Sequence, residues 1–245
     1  MEVLGITMYI VFLSLIVIFF GIIAVIEARE LKRKRGKPIT EQEKCKGYIQ
    51  GISMLWGAVL AVFLMCFLGG ISLNEIGFRK FSFNYGFWFT AGTLTVSIIF
   101  FAFQSYQLIA LLVNAKSAQT KHIASDVISV MPRTKKEKWL FSFLALSAGI
   151  CEEIIFRGFM LYLLMAIFPG MPIYLVILIP IAIFGMGHLY QGFQGVIGTA
   201  LLGAIFICLY LVTGNLLLPI LLHFLNDLIG TFFFPPEDKA DVNGE

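Results

Sequence analysis

The chain has 245 residues, 59% of them hydrophobic and only 13% charged, with a formal net charge of +3 at pH 7. Soluble domains carry about a quarter charged residues, and several uncharged runs here approach or exceed the roughly 20 residues that cross a bilayer as a helix. That excludes an ordinary water-soluble domain and predicts an all-α fold, a polytopic transmembrane helical bundle of about seven spans. So small a net charge says little about partners, because in a membrane protein the distribution of charge matters more than its sum.

The first predicted span covers 3–26. It is too long for the apolar part of a cleavable signal and no basic stretch precedes it. A basic cluster follows instead: "EARELKRKRGKPITEQEKCK" holds eight Lys/Arg residues. The second and third spans, 48–70 and 85–113, flank a loop whose only basic residues are Arg79 and Lys80. From Asn114 to Lys138 the chain again carries six Lys/Arg, together with His122, read as a solvated loop histidine. Spans at 139–167, 172–189, 195–212 and 216–234 complete the set. The polar tail "PPEDKADVNGE" at 235–245 is expected to be disordered. The positive-inside rule places both basic loops and the C-terminus in the cytoplasm and the N-terminus outside, with the loops able to touch anionic headgroups. The chain therefore divides into residues 1–138 (spans 1–3 with two basic cytoplasmic loops), a core at 139–234, and the tail.

Two other features read as packing. Cys45, Cys66, Cys151 and Cys208 are isolated in sequence and suit small buried hydrophobes better than disulfides or a thiolate metal site. An apolar setting favours the neutral thiol, so Cys151 reads as inert despite its neighbour Glu152. Gly195, Thr199 and Gly203 recur every four residues, a small-residue stripe expected to let helices approach.

Of the 18 Lys/Arg and 15 Asp/Glu residues, only Glu152, Glu153, Arg157 and Asp227 fall well inside the apolar spans. His188 and His223 lie in or at the ends of spans. A charge at the bilayer centre costs at least ~2.5–3.5 kcal/mol on insertion scales, so such residues point to function. A purely structural Glu153–Arg157 pair locking helices together would account for two of them and leave four unexplained. Glu153 and Arg157, at i and i+4, share a face and can pair. Glu152 lies about 100° round a regular helix and projects elsewhere, which leaves one carboxylate for proton chemistry as a general base. His223 and Asp227 also share a face, with Asn226 rotated off it. His188 ends "FGMGH", just before the glycine-containing turn "LYQGFQG".

Three motifs follow in order: E-E-x-x-x-R at Glu152–Arg157, F-x-x-x-H at Phe184–His188, and H-x-x-x-(N/D) at His223–Asp227. Together with "RGFM", "GHLYQG" and "LVTGNLLLPILLH", they give a chain that over about residues 139–230 resembles the CPBP family of CAAX proteases and bacteriocin-processing (Abi) enzymes. The resemblance implies an intramembrane endopeptidase with a helical-bundle core, in a bacterial cell membrane. It also implies roles: Glu152 as the base that activates water, His188 as its partner, His223 with Asp227 on the oxyanion side, and Glu153 with Arg157 as structural support.

Asp227 departs from the more common Asn of the third motif. An ionised Asp accepts hydrogen bonds and repels an oxyanion. It must therefore be protonated, or orient His223 as a charged donor, or help bind a metal. No cofactor is expected, because a glutamate-activated water needs none and no H-E-x-x-H occurs. Zinc is the alternative, held by Glu152, His188 and His223, since two histidines and a carboxylate can form a catalytic zinc set. The expected partners are the lipid bilayer and a peptide or membrane-protein substrate, with no nucleic acid.

Rival readings are a non-hydrolytic bacteriocin-immunity or scaffold protein and a proton-coupled transporter. The transporter predicts polar residues spread over many helices, whereas spans 1 and 2 have almost none. Serine and aspartyl intramembrane proteases fit poorly: "LSAG" at 146–149 only superficially resembles a serine elbow, and the spans hold a single aspartate. Straight helices would leave His188 nearer the cytoplasmic end and His223 nearer the outer half, so the spans must tilt or break for the motifs to meet.

Overall fold

The structure is a computed structural model that describes residues 3–34, 37–83, 85–113 and 129–233. His122 and the tail 235–245 lie outside the described residues. Among those described there is no strand. The helices are α1 (Val3–Lys34), α2 (Glu41–Gly69), α3 (Phe87–Val113), α4, α5 (Ile173–Gly187), α6 (Gly192–Thr213) and α7 (Leu217–Phe233). The rod α4 has three consecutive pieces: an α-helix Lys135–Glu152, a π-helical stretch Glu153–Met160, and an α-helix Leu161–Ile167. Four segments are long and apolar enough to cross a membrane: Gly5–Lys34, Glu41–Gly69, Phe87–Tyr106 and Leu189–Thr213. Ile173–Gly187 and Leu217–Ile229 are shorter apolar helices. The fold is the helical membrane bundle that the composition predicts.

α2 and α4 begin several residues before the apolar runs at 48 and 139, and their caps explain why. Thr40 and Thr134 each accept from the backbone N–H three residues on, while Glu43 and Glu137 accept from the cap's own N–H. These reciprocal bonds satisfy the free donors of a helix start, so each helix extends outward past its apolar part. The two starts are tied together. Lys44 Nζ lies 3.6 Å from Glu137 Oε2 with both side chains nearly buried. The same Nζ donates to the Met131 carbonyl at 3.0 Å, and the Tyr48 hydroxyl donates to the Val130 carbonyl at 2.5 Å.

α4 is the axis of the bundle. It packs against α2 and α7, α5 packs on α6, α1 covers α5 and the turn after it, and α3 packs on α6. At the other end from the capped starts, the loop after α2 is lashed to the α6–α7 turn. Leu216 N–H donates to Gly77 O at 3.2 Å, Ser82 N–H to Thr213 O at 2.9 Å, and Arg79 Nε to Gly214 O at 2.5 Å. The Asn215 amide closes the same knot on the Arg79 carbonyl. This loop presses fully buried Ile76 against Gly158 in the π-helical stretch.

Candidate active site

The motif E-E-x-x-x-R straddles the junction where α4 widens. A π turn bonds i to i+5 instead of i+4, so consecutive side chains are separated by a smaller angle than in an α-helix. The consequence corrects the expectation that Glu152 projects away from Glu153. Both carboxylates reach the same partner on α7: Glu153 Oε1 lies 2.7 Å from His223 Nδ1, and Glu152 Oε2 lies 3.7 Å from His223 Nε2.

The expected ion pair is present. Arg157 Nη1 lies 2.8 Å from Glu153 Oε1, and both side chains are wholly buried. The guanidinium sits over the Phe184 ring at 4.2 Å and near the Phe206 ring at 5.3 Å. It also donates to the Gly203 carbonyl at 3.4 Å. Aromatic faces and a carbonyl thus share the positive charge with one carboxylate, the kind of partnering a buried cation requires. Glu153 is therefore bonded to Arg157 and His223 through Oε1 alone, while its Oε2 and Glu152 Oε2 are both buried without a hydrogen bond from the protein.

His223 is the hub. Its ring is stacked on Phe206 (5.0 Å between centroids, 26° between planes) and meets Phe184 edge-on at 5.9 Å. Asp227 Oδ2, one turn along α7, lies 3.6 Å from Nε2. At 3.6–3.7 Å, Nε2 is just beyond hydrogen-bond reach of both Asp227 and Glu152. Asn226, set aside in the sequence as off the face, donates from its amide to Asp227 Oδ1 at 3.3 Å. α7 comes this close to α4 because Gly149 faces it. A methyl there would stand 3.0 Å from Phe224 N.

His188 arrives from a different direction. α5 ends at Gly187, and His188 leaves the helix at φ −105°, ψ 26°. The break that straight helices could not supply is therefore at the histidine itself. Its Nδ1 is 2.8 Å from the Phe184 carbonyl, so Nδ1 carries the hydrogen and Nε2 is left as the acceptor. Phe184 unites the site: its ring touches His188 at 5.0 Å and His223 at 5.9 Å, and its carbonyl fixes His188. That is the physical content of the spacing F-x-x-x-H. Phe206 had no sequence signal, being one phenylalanine among 25.

The small-residue stripe on α6, read from sequence as helix packing, faces this network. A methyl at Gly203 would lie 3.0 Å from Phe184 and 3.2 Å from Arg157 Nη2, and one at Gly195 would collide with the Gln191 side chain. Thr199 donates to Gln191 Oε1 at 3.5 Å.

Zinc would need Glu152, His188 and His223 gathered round one point. Among the described residues no group of three or more His, Cys, Asp or Glu side chains is arranged to hold a metal ion. The side chains as placed do not fit such a centre, and no step below runs through one.

Residues 134–229 match the family model Rce1-like, described as type II CAAX prenyl endopeptidase Rce1-like. No curated protein and no solved structure matches the chain. The matched stretch contains all three motifs and every residue of the cluster round His223. It supports a CAAX-protease-like intramembrane endopeptidase, an integral membrane protein acting on peptide or membrane-protein substrates. Over residues 134–229 the chain is thus similar to the CPBP family, the family that its three motifs resemble.

Proposed function

We propose that the protein cleaves peptide bonds of membrane-associated substrates with a water activated by Glu152, without a resident metal. The observation that carries this is the division of labour between adjacent glutamates. Glu153 is fully buried and held through Oε1 by Arg157 and His223, whereas Glu152 lies beside the same histidine without a tight bond to it and keeps 15% of its side chain open. A carboxylate so placed can take a proton from water.

In this reading the water oxygen attacks the scissile carbonyl carbon while one of its protons passes to Glu152. His188 accepts the water's other hydrogen at Nε2 and aims its lone pair. The negative tetrahedral oxygen is met by His223. Its Nδ1–H is committed to Glu153, and its Nε2–H, bound tightly to neither Glu152 nor Asp227, is open to the substrate oxygen. With N–H on both nitrogens, the ring carries a positive charge that Glu153 answers at Nδ1, while Glu152 and Asp227 face Nε2 from 3.6–3.7 Å. Collapse of the intermediate breaks the C–N bond, and Glu152 returns its proton to the leaving amine. Asp227, steadied by Asn226, holds His223 in this donor state. By the positive-inside rule this reading has both basic loops and the C-terminus in the cytoplasm and the N-terminus outside.

Paired substitutions at Asp227 test this. Asp227→Asn puts an amide N–H, a donor at every pH, where the carboxylate stood. It is expected to keep cleavage within about tenfold of wild type and to lose less of it at high pH. Asp227→Ala removes the group that holds His223 as the donor and is expected to lose about 100-fold or more, on the scale of losing that one oxyanion donor. Cleavage by reconstituted protein in liposomes, with bound metal assayed in parallel, reads both. A dead Asn variant that has also lost a stoichiometric zinc would replace this mechanism with a metal-dependent one.

A further inference from the structure

The turn "LYQGFQG" carries a polar chain that the steps above do not use. Gly192, at φ +76° and ψ 179°, adopts a conformation open essentially to glycine alone, and it starts α6 directly after the turn Leu189–Gln191. Gly195 leaves room for the Gln191 side chain. Thr199, itself buried, donates to Gln191 Oε1 at 3.5 Å, and Gln191 Nε2 donates to the Tyr190 hydroxyl oxygen at 3.0 Å. The direction of this chain is fixed by an amide, which donates only through nitrogen. The Tyr190 oxygen is an acceptor in it, so its own O–H is left to donate elsewhere. The Tyr190 ring lies 5.9 Å from His188, tilted by 35°. The Tyr190 side chain is within electrostatic range of Glu152 and Asp227 on the site side and of Glu27 on α1.

We propose that Tyr190 is a catalytic hydrogen-bond donor whose O–H binds the tetrahedral oxygen alongside His223. It makes good the donor that an ionised Asp227 cannot offer. No proton is transferred: the phenol stays neutral, and its bond shortens as charge gathers on the substrate oxygen. This rests on the Glu152 mechanism above. Thr199, Gln191 and the two glycines then act as positioning residues that hold the phenol in place.

The experiment measures kcat and KM of the full-length protein in liposomes on an internally quenched farnesylated CAAX peptide, for wild type, Glu152→Gln, Tyr190→Phe and Gln191→Ala. Thermal unfolding is followed for each. Phe keeps the ring on His188 and removes only the hydroxyl. The expected result is a fall in kcat of about 100-fold with KM within about twofold, an unchanged unfolding midpoint, and a smaller fall for Gln191→Ala. Wild-type kcat in Tyr190→Phe while Glu152→Gln is dead overturns the proposal and leaves the Glu152 mechanism standing. So does a lowered midpoint with kcat intact, which would mean that the hydroxyl only holds the turn in place. An active Glu152→Gln overturns both.

Discussion

α3 and α4 are both largely apolar, and they meet opposite demands. On α3 the aromatic side chains at the helix start are largely exposed, Trp88 with 86% of its surface, and among the described residues the helix packs chiefly on α6. Nothing beyond a greasy surface is required of most of its positions, because lipid is satisfied by any apolar side chain. On α4 every residue from Glu153 to Met160 is buried, including a full ion pair. There the surroundings are protein, supplied by α1, α2, α5, α6, α7 and the loop after α2, and each contact has one solution. The comparison teaches that in this bundle hydropathy specifies the helices, and a few intramembrane charges specify how they pack.

Breaking the ion pair should show the largest contrast. Arg157→Leu leaves Glu153 buried with only His223 to answer its charge, and is expected to destabilise by ~3–5 kcal/mol. The readouts are loss of folded protein on size-exclusion chromatography and a lowered unfolding midpoint. Crowding the same region without touching charge is next. A methyl at Gly158 would stand 2.5 Å from the Ile76 carbonyl oxygen, and the loop that carries Ile76 cannot retreat because Gly77 and Arg79 are tied to the α6–α7 turn. Gly158→Ala is expected to cost ~1–3 kcal/mol, read as a lower midpoint with residual cleavage. The smallest effect belongs to α3. Ile98 faces out with 70% exposure, and Ile98→Ala should stay within about 0.5 kcal/mol, the range of surface changes. A large loss there would show that α3 has a partner on its open face.

Much of this was legible in the sequence because a membrane makes polarity costly. Five of the six charged or imidazole side chains that the spans contain, Glu152, Glu153, Arg157, His223 and Asp227, meet round His223, and His188 joins them through Phe184. The E-E-x-x-x-R spacing was enough to pair Glu153 with Arg157. It was misleading for Glu152, because the angle per residue comes from the helix type, and nothing in "CEEIIFRGFM" announces a π turn. Helix starts were missed for a related reason. T-E-Q-E and T-K-K-E are capping boxes, but they lie in charged loops where a hydropathy reading stops at the first apolar residue. The stripe Gly195–Thr199–Gly203 was read correctly as allowing close approach. What approaches is the Gln191, Phe184 and Arg157 side chains, and spacing alone does not name them.

The central claim is that Glu152, and not its bonded neighbour, handles the proton. Glu152→Gln keeps the volume and the acceptor oxygen at this position and removes only the ability to take a proton. The direct measurement is cleavage by purified, reconstituted Glu152→Gln against wild type, at matched amounts of folded protein with matched unfolding midpoints. Loss of cleavage to background with the midpoint preserved is the predicted result. Cleavage at the wild-type rate by a folded Gln variant would contradict the account and move the base to another residue.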